Sequence, residues 1–215
     1  MKLLNLFSRV WIILSLPLSV FSQINLSAGT YQQDFNTLAS SGTSAALPSG
    51  WLFLESGTNA NTLYSAGSGS GNAGDTYSFG IAGSNERAFG GLLSGSLTPT
   101  IGAFFINNTG STLSSFTISY TGEQWRLGTA DRGPDVLNFQ MSTDATSLNT
   151  GVWNDIDALD FSSPSTTAPI GLRDGNDAGN RATVSFTITG LSIANGATFY
   201  IRWTDFNVSG ADDGL

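Results

Sequence analysis

The sequence predicts an all-β chain folded as an antiparallel two-sheet sandwich, and three observations carry that expectation. Thr, Ser, Gly, Phe and Trp are abundant, with 26 Gly, 14 Phe and 5 Trp in 215 residues, while only 11% of the chain is charged against the roughly 25% usual for globular domains. No i, i+3, i+4 apolar pattern persists for three turns, so almost no helix is expected. Several short segments instead alternate apolar residues with hydroxyls, the period of a half-buried strand.

Residues 1–22 read as a signal peptide. Lys2 and Arg9 supply the positive region, and Val10 to Val20 is mostly apolar but broken by Ser15, Pro17 and Ser19. Val20-Phe21-Ser22 approximates a small-x-small cleavage site, which leaves Gln23 first. The run is too short to span a bilayer, so the expectation is a secreted or cell-surface protein that does not cross the membrane. Residues 23–215 are then of a size that one β-sandwich domain fills.

Strands follow from the alternation. Phe116, Ile118 and Tyr120 share one face and Thr117, Ser119 and Thr121 the other; Val184, Phe186 and Ile188 repeat the pattern. Phe199, Ile201 and Trp203 form a third such strand, and Leu137, Phe139 and Met141 a fourth. Weaker candidates are Tyr31 to Phe35, Trp51 to Glu55, Ala88 to Leu92, Gly102 to Asn107 and Trp153 to Leu159, each bounded by Gly, Pro, Asn or Ser. Asn59 to Asp75 and Ser162 to Asn180 read as long loops, the first a Gly/Ser connector. Asp174-Gly175-Asn176-Asp177 imitates the start of a calcium loop, but Ala178 stands at the fifth position and no Glu follows at the twelfth. An Asx-rich turn is the reading.

Composition removes many chemistries. Without Cys there is no disulfide, zinc-thiolate site or thiol nucleophile, and without His there is no Ser-His-Asp triad. Eight Lys and Arg against sixteen Asp and Glu give a net charge of −8, with no basic cluster, so a nucleic-acid partner is not expected. Glu55, Glu86 and Glu123 are the only Glu, and no two of them alternate on one strand as a catalytic carboxylate pair would.

Gln33-Asp34-Phe35-Asn36, Leu47-Pro48-Ser49-Gly50-Trp51, Tyr120-Thr121-Gly122-Glu123-Gln124-Trp125-Arg126, Leu137-Asn138-Phe139-Gln140-Met141-Ser142, Trp203-Thr204-Asp205 and Asp212-Asp213-Gly214-Leu215 occur in that order. In this order they resemble a secreted bacterial jelly-roll module. Such modules stand near the N-terminus of large surface or exported proteins, often ahead of nuclease-like or lamin-tail domains or of type IX or PEP-CTERM sorting signals. The resemblance covers most of residues 30–215. It implies a last strand beyond the Asp-Asp-Gly-Leu, so the expected sandwich lacks that strand and has an unpaired edge.

A more distant resemblance, to carbohydrate-binding and MAM-like jelly rolls, implies a structural Ca²⁺ where first and last strands meet, with Asp34, Asp212 and Asp213 as ligands. Thirteen of the sixteen acidic residues are Asp, and calcium takes roughly six to eight oxygens. The other reading is that these Asp cap turns or stay solvated.

Past Gly122 the polarity of the two strand faces exchanges, which predicts either a bulge or a polar patch on one sheet face. Trp125 beside Glu123, Gln124 and Arg126 is then a candidate sugar platform, the ring stacking on a pyranose and the amide, carboxylate and guanidinium holding hydroxyls. The alternative makes Trp125 a core residue and pairs Glu123 with Arg126 or Arg202. The function expected is a non-catalytic extracellular module for adhesion or for binding an extracellular polysaccharide or cell-surface glycan. The alternatives are a structural spacer for a downstream domain and a jelly-roll glycoside hydrolase.

Overall fold

The computed structural model describes residues 22–27, 29–206 and 209–215. The expected signal peptide lies, apart from Ser22, outside them. Fifteen strands and two short 3₁₀ turns make up the regular structure of the described residues, so the chain is all-β. No described helix is long and apolar enough to cross a membrane.

One sheet is built on three long strands, β7 (Thr98–Asn107), β15 (Thr198–Asp205) and β10 (Val136–Ser142), paired antiparallel. The outer edge of β7 is shared by β3 (Trp51–Ser56) and β1 (Ile24–Leu26); that of β10 by β11 (Asn154–Asp155) and β12 (Phe161–Ser162). In the opposing layer β2 (Thr43–Ser44), β4 (Tyr64–Gly67), β5 (Asp75–Phe79) and β6 (Ala88–Leu92) lie in that order. Beside them stand β9 (Arg126–Leu127) with β13 (Gly171–Leu172), and the long antiparallel pair of β8 (Leu113–Glu123) with β14 (Arg181–Ile193). Gly214 bridges β6 and β9, pairing with Leu92 on one side and Arg126 on the other.

The two layers enclose one apolar core. Phe116 and Tyr120 of β8 pack on Phe199 and Trp203 at 5.2 and 5.3 Å, while Tyr64 and Phe89 of the other strands meet Phe53 and Trp51. The four strongest strand expectations, and Trp51 to Glu55, Ala88 to Leu92 and Gly102 to Asn107, all fall on strands.

The differences have local causes. Tyr31 to Phe35 alternates in burial but joins no ladder. Trp153 to Leu159 is a two-residue strand followed by a 3₁₀ turn. The expected connector at Asn59 to Asp75 contains β4, whose Tyr64 is fully buried. Two pairings, β1 with β7 and β4 with β5, are parallel. The β4–β5 link is tight because Gly69 has φ +81° and a Cβ there would fall 1.8 Å from the Trp125 carbonyl oxygen. Gly67, Gly69 and Gly74 of the Gly-rich segment are therefore packed, while residues 70–73 between them are exposed.

Candidate functional site

The expected sugar platform is buried. β8 and β14 stay in register to Glu123 and Arg181, and there the chain changes partner: the Gln124 N–H donates to the Asn180 carbonyl and the Trp125 N–H to the Gly214 carbonyl. This switch, rather than a bulge at Gly122 or a polar patch on a sheet face, explains the exchange of polarity. Trp125 is 1% exposed, its ring stacked on Phe79 at 6.1 Å and pressed by Gly175, where a Cβ would meet it at 2.5 Å. No ring face is open to a pyranose.

The neighbours of Trp125 are committed too. Its Nε1 donates to Glu123 at 3.0 Å. Gln124 is buried, its amide donating to the Ser165 carbonyl (2.9 Å) and the Asp213 carboxylate (2.8 Å) and accepting from the Ser165 N–H (2.8 Å). Arg126 donates to the carbonyls of Gly69 and Ser70. Residues 123–126 thus tie together the Gly-rich segment, the loop at Ser165 and the segment at 213–214. Burial pushes the Glu123 carboxyl up to about 7, helped by the charges of Glu86 and Asp174 and opposed by the Trp125 hydrogen bond and Arg181. The Asp174 turn is an Asx turn, the Asn176 N–H donating to its Oδ1 at 2.9 Å.

Beneath this junction lies a nest of carboxylates. Asp135, Asp205 and Asp212 each bring an oxygen within 4.8 Å of the others. Asp205 ends β15 opposite Leu137 of β10, and Asp135 stands just before β10 with the parity of Leu137, so both project from the core side of adjacent strands. Asp212 arrives with the segment that lies on Gly128, where a Cβ would strike the Ala211 and Asp212 carbonyls at 2.2 Å.

Asp213 is in the nest but its oxygens are engaged: Oδ1 accepts from the Gly128 N–H (2.7 Å) and from Arg132 (3.4 Å), Oδ2 from Gln124. Arg132 also pairs with Asp135 at 3.1 Å. Asp205 is 2% exposed, and neither of its oxygens has a hydrogen-bond partner. Burial, then the charges of Asp135, Asp212 and Asp213, push its carboxyl up to about 9.

Of the three expected ligands, only Asp212 is in the triad. Asp34 is exposed, and its Oδ1 accepts from the Asn36 N–H at 3.1 Å, a turn-capping role. Asp135 and Asp205 were missed, although both hold core positions in the alternations Asp135, Leu137, Phe139 and Phe199, Ile201, Trp203, Asp205. A carboxylate at a core parity is itself a signal.

A separate, open feature lies along the other end of β8. A cleft of about 1210 Å³ is lined by Ser115 through Tyr120 on one side and Gly29 through Phe35 on the other, with Trp51, Phe105 and Trp203 among its deeper residues. Because successive strand side chains point to opposite faces, six consecutive residues can share a wall only if the wall is the strand edge. β8 pairs with β14 alone among the described strands, so this edge is free. The facing wall is oriented by the Trp51 Nε1, which donates to the Tyr31 hydroxyl at 2.8 Å, and that hydroxyl donates to Gln33. Asp34 carries the only formal charge among the described lining residues.

The chain matches no protein-family model and no curated protein. Among solved structures it is similar to the crystal structure of the enzymatically active domain of bacteriophage CBA120 tailspike protein 4, at 9% sequence identity and a TM-score of 0.36. The likeness covers 84% of this chain and 20% of that one. The chain thus spans a fifth of the length of the solved protein.

Proposed function

We propose that the chain is a non-catalytic module of the cell exterior that holds a neutral polysaccharide in the cleft between β8 and residues 29–35. The carrying observation is the lining of that cleft. Half-buried rings of Tyr31, Phe35, Trp51, Phe116 and Tyr120 form its depth, and Ser115, Thr117, Ser119, Gln32 and Gln33 supply hydroxyls and amides. Rings that stack and short polar groups that orient are what a sugar site uses. A volume above the usual small-ligand range of about 300–1,000 Å³ suits a polymer. Lys and Arg are missing from the described lining, and the chain carries a net −8 charge, which disfavours acidic glycans. Secretion rests on the sequence of residues 1–22. The site expected at residues 123–126 is replaced by this one because Trp125 is sealed.

Affinity electrophoresis of the full chain through gels containing neutral polysaccharides (β-glucan, mannan, starch) or acidic ones (pectin, alginate) tests the reading. Retardation by a neutral polymer is expected, weakened in Gln32→Ala/Ser119→Ala, whose positions are exposed. Silence across the neutral panel overturns it. So does capture of an extended peptide by the free β8 edge, abolished by backbone N-methylation, since that would make the cleft a strand acceptor.

A further inference from the structure

Asp205 presents an unusual problem in physical chemistry. Its carboxylate is 2% exposed and held at the end of a central strand, with both oxygens unpartnered, beside Asp135 and Asp212. A buried polar group without a partner costs free energy, and more so a charged one. The neighbouring guanidinium does not solve it, because Arg132 donates to Asp135 and Asp213 and to neither oxygen of Asp205. Hydrogen bonds already fix Asp135: its N–H donates to Ser163, and its Oδ2 accepts from the Asp213 N–H.

We propose that Asp135, Asp205 and Asp212 form a binding site for one divalent cation, calcium by preference. Three oxygens mutually within 4.8 Å all lie within about 2.8 Å of a common point, so a shift of a few tenths of an ångström brings each to the roughly 2.3–2.6 Å of a Ca–O bond. The ligand set is carboxylate oxygen alone, which selects a hard cation over zinc or copper. Calcium is favoured over magnesium because it accepts a crowded carboxylate set, whereas magnesium keeps several waters.

The ligands come from three separate places: the segment before β10, the end of β15 and the segment at 211–213. An ion there would clamp the last residues onto the first sheet and leave Asp213, through Gln124, as its outer support. The site is independent of the cleft and of any glycan.

Terbium luminescence, sensitised by Trp203 two residues from Asp205, reads the site directly on the chelator-stripped full chain, with calcium as competitor. Expected are one saturable Tb³⁺ site displaced by calcium more readily than by magnesium, and a melting temperature that rises with calcium. Asp205→Asn should abolish the luminescence and the calcium response while melting in chelator no lower than the parent, because neither Asp205 oxygen has a hydrogen-bond partner to lose. Asp34→Asn should behave as the parent. No sensitised signal and no calcium-dependent shift in the folded parent overturn the proposal, as does a signal that survives in Asp205→Asn.

Discussion

One continuous stretch, β8 into β9, has two fates along the same edge. At Trp125 and Arg126 the edge is taken: Gly214 pairs with it, and every side chain of residues 123–126 is hydrogen-bonded. From Ser115 to Tyr120 the edge is open and lines a wide cleft. Both ends set aromatic beside polar residues, Phe116 and Tyr120 with Ser and Thr at one and Trp125 with Glu123, Gln124 and Arg126 at the other. What separates them is whether another segment of chain arrives to satisfy the backbone and cover the rings. Aromatic and polar residues side by side therefore form a sealed junction where another segment arrives and an open cleft where none does.

The largest expected effect lies at the closed end. Trp125→Ala removes a fully buried ring and the donor to Glu123, and should cost about 3–5 kcal/mol in chemical denaturation while leaving polysaccharide retardation of the folded fraction unchanged. Loss of retardation in a folded Trp125→Ala would instead put the ligand at residues 123–126. Gln124→Ala leaves Asp213 and the Ser165 backbone with lost partners, and about 2 kcal/mol of destabilisation is expected by the same measurement.

Glu123 makes the closed end sensitive to pH. Its folded value of about 7 lies above its ordinary 4.5, so the folded state holds the proton more tightly than the unfolded one. Stability from this group is then present below about pH 4.5, falls as pH rises towards 7, and is lost above that. Glu123→Gln keeps an acceptor for the Trp125 Nε1 and should raise the melting temperature at pH 8 relative to the parent, with little change at pH 4.5. An equal shift at both values would contradict burial of the carboxyl.

The smallest expected effect is at the open end. Thr117 is exposed and shares only a 2.8 Å hydroxyl contact with Thr187, so Thr117→Ala should change stability by no more than about 0.5 kcal/mol while weakening retardation in a neutral-polysaccharide gel.

The sequence made the strands legible because alternation depends only on which face meets the core: Phe116 to Thr121 and Phe199 to Trp203 fall where the pattern puts them. It could not show which strand edge meets which. The burial of Trp125 depends on Phe79, Gly175 and Gly214, each about 40 or more residues away in sequence, and no local pattern encodes such contacts. Asp34 stands apart from the Asp135, Asp205 and Asp212 cluster for a related reason, since the resemblance supplied a place in the fold but not the partner strands. Asp205 was legible in principle, as a carboxylate on the core parity of its own strand.

Hydrogen exchange of the full chain, with and without the neutral polysaccharide that retards it, tests most directly the claim that function resides in the open edge. The account predicts new protection at residues 115–120 and 29–35 and none at 123–126, where the Gln124, Trp125 and Arg126 amides are already hydrogen-bonded. Protection appearing at 123–126, or nowhere, would contradict it.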